Sequence, residues 1–167
     1  MRLHLTSVPI AGKLIDTRQQ DRCYFKPRGL WWGVDMAWLE WMETGWPDRY
    51  EMDLTGPTWL FEVVLPAQTK LLSLQSPNDL DAFTHKYGCG DPDQIFCEID
   101  WPSVAQQYDG IEIDPYQWCR RLELGWYYSW DCASGCIWNT DGVQLVDRTD
   151  LLTERRNRLK RLEEVPS

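Results

Sequence analysis

Histidine is scarce in this chain of 167 residues, with His4 and His85 the only two, and none of its cysteines has the Cys-x-x-Cys spacing. Cys132 and Cys136 stand four apart, so neither residue type supplies the ligand set of a structural or catalytic zinc. Positive charge is also in deficit: 17 Lys and Arg against 26 Asp and Glu give a net charge of −9. A phosphate-backbone binder needs a basic footprint, so direct binding of nucleic acid is not expected. Most acidic surfaces serve solubility alone, and the alternative is a surface that mimics nucleic acid toward a basic protein partner. No apolar run approaches the roughly 18 residues of a membrane span, and Met1-Arg2-Leu3-His4 opens no signal-peptide core, so no membrane partner and a cytoplasmic location are expected. A reducing compartment in turn favours six free thiols over a disulfide framework. The Rossmann glycine pattern, the P-loop and the Gly-x-Ser-x-Gly elbow are all missing.

Tryptophan is what the chain has in excess: eleven, from Trp31 to Trp138. Two uses stay open for so many rings, a core built of few layers or an aromatic-lined groove. The densest stretch is Trp126 to Asn139, where Trp126, Trp130 and Trp138 flank the polar Ser129, Asp131 and Ser134. It reads as a strand, a loop and a central strand at the floor of a pocket, with Val143 to Val146 returning beside Cys136 to Trp138 after the Asn-Thr-Asp-Gly turn.

Alternation predicts a first strand over residues 2–7, with His4 and Thr6 on one face and Leu3 and Leu5 on the other. Val8 to Gln20 reads as a short helix or loop. A Pro/Gly turn then leads into the short aromatic strand at Trp31 and Trp32, and Gly33 permits a close approach. Asp35 is placed to cap a helix that buries Trp38, Trp41 and Met42 and ends at Gly45-Trp46-Pro47. Two strands, Trp59 to Leu65 and Lys70 to Gln75, precede a helix opened by Ser76-Pro77-Asn78-Asp79 and stopped at Gly88. Cys89 to Ile99 reads as an exposed loop with one extended piece. Asp100 and Pro102 open a brief helix, and Ile111-Glu112-Ile113 is a strand whose Glu112 faces away from the core, by default into solvent. A C-terminal helix over Asp150 to Glu164 reads as a solvated flank, so residues 1–148 form the single domain and 149–167 its helix and tail.

Taken in order, His4-Leu5-Thr6-Ser7, Lys26-Pro27-Arg28-Gly29-Leu30-Trp31, Tyr108-Asp109-Gly110-Ile111, Cys136-Ile137-Trp138-Asn139 and Val143-Gln144-Leu145-Val146 resemble the ADP-ribosyltransferase-like superfamily. More narrowly the chain resembles its small bacterial and phage members over residues 3–148. The resemblance implies an α+β fold of split mixed sheets around a cleft, with short flanking helices, in which NAD is bound as a substrate. His4 matches the first-strand histidine of the diphtheria-toxin-like branch, which bonds the ribose, and Thr6 and Ser7 match its small polar neighbours. Trp31 and Trp32 fall where the family sets residues against nicotinamide.

The chain departs from the pattern at the catalytic glutamate, where it carries Ala133-Ser134. A serine brings no negative charge to an oxocarbenium-like cation. Asp131 and Glu112 are the candidate replacements. The expectation is an NAD-binding ADP-ribosyltransferase-like protein that passes ADP-ribose to a macromolecular acceptor. The alternative is a catalytically silent acidic binding protein, such as a phage-type inhibitor of a host defence or nucleic-acid enzyme.

Overall fold

The computed structural model of the chain describes residues 1–19, 23–44, 58–90 and 97–163. In chain order they form β1 (Arg2–Thr6), β2 (Leu30–Val34), α1 (Ala37–Thr44), β3 (Trp59–Val64), β4 (Leu71–Leu74), α2 (Pro77–Tyr87), β5 (Gly88–Cys89), β6 (Glu98–Ile99), α3 (Trp101–Ala105), β7 (Gly110–Ile113), α4 (Gly125–Tyr128), β8 (Ser134–Ile137), β9 (Gln144–Asp147) and α5 (Thr149–Glu163). A turn of 3-10 helix at Trp118–Arg120 precedes α4. Seven strands make one mixed sheet in the order β4-β7-β8-β2-β1-β3-β9, while β5 and β6 form a separate ribbon, so the fold is α+β. Only β4 beside β7 is parallel; the other neighbours in the large sheet are antiparallel.

Strand order and chain length together bend this sheet. β3 and β4 are separated by five strand spacings, about 24 Å along a flat sheet. Residues 65–70 alone connect them, a reach of about 25 Å even when fully extended. Pro66 and Thr69 close a turn within that link, so the two ends of the sheet curl toward each other. Inside the curl Trp32, Val63 and Ile137 are buried, with Leu71 of β4 and Leu145 of β9 packed against them from opposite edges.

The outer face carries the helices. Beneath α2, α3 and α4 lie Ile111 and Ile113 of β7 and Cys136 of β8, meeting Leu80, Phe83, Trp101, Trp126 and Trp130. Beneath α1 and α5 lie Leu3 and Leu5 of β1 and Leu60 of β3, meeting Leu39 and Leu152. Five of the eleven tryptophans are core: Trp32, Trp101, Trp126, Trp130 and Trp138 are each at most 5% exposed.

Cap chemistry places two helices as expected. Ser76 and Asp79 form a reciprocal capping box on α2, and Asp100 accepts from Ser103 N–H at the start of α3. Elsewhere the structure corrects the reading. β9 pairs with β3 and not with β8, because both edges of β8 are taken by β7 and β2. Trp126 belongs to a helical turn and not to a strand. Asp35 turns its carboxylate to the Met1 ammonium at 2.6 Å, and the first bond of α1 runs from Glu40 N–H to the Met36 carbonyl. The fully buried residue of α1 is Leu39, with Trp38 and Met42 only partly covered. α5 is more than a flank, since Leu152 is 2% exposed in the β1–β3 core. Residues 8–19 run without a helix. The Gly45-Trp46-Pro47 stop lies outside the described residues.

Candidate functional site

Cross-strand register decides where each candidate residue lies. Glu112 of β7 pairs with Gly135 of β8, and Gly135 pairs with Trp32 of β2, forming one row across the inner face. Gly135 offers no side chain, so the Trp32 indole lies across it; a Cβ there would collide with the ring. The indole N–H then donates to Glu112 Oε2 at 2.9 Å. Arg2, reaching in from β1, donates to both oxygens of the same carboxylate at 2.7 and 3.0 Å and stands 5.8 Å from the Trp32 ring centre. Glu112 is therefore not on a solvent face: its side chain is 15% exposed and holds three hydrogen bonds. Its charge is already matched. Trp32 is 0% exposed, which withdraws it from stacking on nicotinamide.

His4 occupies the seam between β1 and β2. Pairing there is confined to Arg2 with Val34 and Leu3 with Gly33. One residue further on, the His4 Nδ1–H donates to the Trp31 carbonyl at 2.7 Å, taking over where the ladder stops. Burial lowers the His4 pKa, and the bond to Trp31 opposes it more weakly. The ring is therefore neutral at pH 7, with Nε2 as an acceptor. Its centre lies 6.2 Å from Trp38, whose ring packs over Gly33. Across the other ladder His4 faces Phe61 of β3. The Thr6 hydroxyl bonds the backbone of its local neighbour Val8, and Ser7 is exposed.

Trp31 points to the outer face, opposite Trp32. Its ring meets Trp130 edge-on at 4.8 Å, and the Lys26 ammonium sits 5.1 Å from its centre. Although Lys26 as a whole is exposed, desolvation of its ammonium end lowers its pKa, with Asp131 the main opposing charge. Asp131 accepts from Arg121 at 3.2 Å. Arg121 in turn lies between Trp118 and Tyr128, 5.6 and 5.4 Å from their ring centres. Tyr116 adjoins this group, and burial pushes its hydroxyl up to about 12. Burial, with Asp131 adding to it, raises the Cys132 thiol to about 12, so it is not a thiolate nucleophile at neutral pH. Ser134 is 3% exposed, and its hydroxyl donates to the Cys132 carbonyl at 2.9 Å, closing the loop.

Two donors of this region are buried without a hydrogen-bond partner, the Trp130 indole N–H and the Tyr116 hydroxyl. The sequence does not reveal Arg2, Lys26, Arg121 or Tyr116 as site residues. Arg2 and Glu112 meet across 110 positions, with no periodic signal linking them.

The candidates thus divide. His4 and Glu112 belong to the inner face and the seam, Trp31 and Asp131 to the outer face, and the His4–Trp31 hydrogen bond is where the two groups touch. The expectation of six free thiols is corrected, since Cys23 and Cys89 form a disulfide with Cα atoms 6.3 Å apart, and Cys119, Cys132 and Cys136 are not part of one. Among the described residues, no group of three His, Cys, Asp or Glu could hold a metal ion, and no helix is long and apolar enough to cross a membrane. No family model, curated protein or solved structure matches the chain, so residues and geometry alone carry its functional reading.

Proposed function

We propose that this protein is an ADP-ribosyltransferase-like domain that binds NAD at the seam where β1 parts from β2. The observation that carries this reading is the His4 hydrogen bond to the Trp31 carbonyl, which fixes a neutral histidine at the end of a broken ladder and leaves Nε2 to accept from a ribose hydroxyl. Trp31 supplies the aromatic surface for nicotinamide. Lys26, now over that ring, is the cation that the positively charged nicotinamide displaces toward the pyrophosphate.

Transfer of ADP-ribose to a macromolecular acceptor would rest on Asp131, because Glu112 is held by Arg2 and Trp32 and Ser134 is buried. Asp131 is itself paired with Arg121, which weakens its stabilisation of a developing cation. That pairing favours a second reading, a silent acidic binding protein acting on a basic target protein in the cytoplasm.

Titration with NAD while following tryptophan fluorescence, with an assay for released nicotinamide in the same sample, separates the readings. The expected result is quenching that Trp31→Phe reduces and His4→Gln weakens by about tenfold, the worth of one ribose hydrogen bond. Release that Asp131→Asn abolishes would assign the carboxylate. Quenching without release supports the silent form, and no quenching at millimolar NAD overturns the NAD reading.

A further inference from the structure

Three large side chains stand in water where the 3-10 helix turns into α4. Trp118 of the 3-10 helix is 68% exposed, Leu122 of the turn after it 75%, and Tyr128 of α4 56%. The Arg121 guanidinium lies between the two rings, 5.6 Å from the Trp118 centre and 5.4 Å from that of Tyr128, so both rings belong to one patch. Tryptophan, tyrosine and arginine are the residues that protein interfaces concentrate at their centres.

The segment that presents them is anchored. Arg120 donates to both oxygens of Asp81 on α2 at 2.8 Å. The Gln117 side chain donates to the Gln75 and Pro115 carbonyls at 3.0 and 2.8 Å, and its backbone N–H donates to the Tyr127 hydroxyl at 2.8 Å. Tyr116 braces Trp118 edge-on at 4.8 Å. The rings are thus held in place before any partner arrives, which lowers the entropy lost on docking. Charge around them is uneven. Arg120 pairs with Asp81 and Glu123, and Arg121 with Asp131; both arginine side chains are 25% exposed, against 43, 59 and 32% for the three carboxylates. Three anions beside two better-covered cations give the patch a negative rim.

We propose that this patch docks a basic segment of a partner protein, its apolar side chains on Trp118 and Leu122 and its arginine or lysine groups against Asp81, Glu123 and Asp131. The assignment rests on the second reading above, a silent protein acting on a basic target, and gives that reading a surface; it does not involve NAD. Charge selects the partner. A second copy of this chain would bring the same carboxylate rim on a molecule of net charge −9, and nucleic acid would bring phosphates, so both meet repulsion that a basic segment does not. The exposed ring faces of Trp118 and Tyr128 can also take a partner's cation, as they already take Arg121.

Fluorescence anisotropy of a labelled synthetic peptide of leucine and arginine, titrated with the full chain, tests this. Two control peptides carry glutamate in place of arginine, or serine in place of leucine. Saturable binding of the leucine–arginine peptide is expected, weakened about tenfold in Trp118→Ala and several-fold in Leu122→Ser. High salt and Glu123→Gln, which removes one rim charge, should weaken it further. Both apolar positions are exposed, so these variants keep the fold, which circular dichroism checks. Equal binding of either control peptide overturns the proposal. Affinity unchanged in Trp118→Ala and Leu122→Ser overturns this location while the basic-target reading stands. No binding of the leucine–arginine peptide at millimolar concentration overturns both. A dimer of the chain alone that Trp118→Ala dissolves would give the patch to a second copy, and the proposal falls.

Discussion

A missing methyl group at Gly135 lets a tryptophan and a glutamate meet. The Trp32 ring lies over the Gly135 backbone and reaches Glu112 on the next strand, so a side chain at 135 must push the ring away from both. Gly135→Ala should lower stability in urea by about 3 kcal/mol or more, from overpacking plus the loss of a bond to a charged acceptor. His4 makes a different prediction. Its pKa is depressed in the folded state, so the unfolded chain binds the proton more readily, and the stability that the neutral ring contributes is present above about pH 6.5. That contribution is lost as pH falls through the lower folded value. The difference in unfolding free energy between the wild type and His4→Gln should therefore be constant above neutrality and shrink on acidification. A difference that grows with acid would show that His4 is charged in the fold.

Elements with local chemistry were legible in the sequence. The starts of α2 and α3 were readable because serine or aspartate caps with proline beside them satisfy the first N–H groups within a few residues. β7 was legible from Ile111-Glu112-Ile113, whose alternation survives in the burial of both isoleucines. The partner of β9 was not legible, since the choice between β8 and β3 depends on which edges other strands have already filled. The same holds for α5: its charged surface was visible, but the space that receives Leu152 is built by Leu3, Leu5, Leu39 and Leu60 from three other elements. Leu152→Ala should cost about 2–5 kcal/mol, as a buried leucine truncated in a packed core does, and chemical denaturation would measure it. A loss below 0.5 kcal/mol would mean that α5 does not hold the sheet.

Across the whole molecule, the candidate site was legible residue by residue and not as an arrangement. His4, Trp31 and Asp131 were named from the sequence, but a one-residue step along β2 sends Trp31 and Trp32 to opposite faces. Trp32 consequently joins Glu112 and Arg2 in a closed network, and Trp31 is left with Lys26 and Trp130. The Cys23–Cys89 link was hidden for the same reason, because the sequence gives spacing and the fold gives proximity.

Strand order also governs how quickly such a molecule can assemble. No two neighbours in the seven-stranded sheet are joined by a tight hairpin: β2 waits for β8, β3 waits for β9, and β4 waits for β7. Almost every ladder must therefore close a long loop before its first hydrogen bond forms, and the entropy of that closure comes ahead of the reward. Refolding from denaturant, followed by tryptophan fluorescence in stopped flow, should take milliseconds to seconds, slower than a helical protein of this size. The β2–β8 and β3–β9 ladders, whose strands stand furthest apart along the chain, are therefore where the sheet is completed late, and with β2–β8 comes the row in which Trp32 lies over Gly135 to reach Glu112.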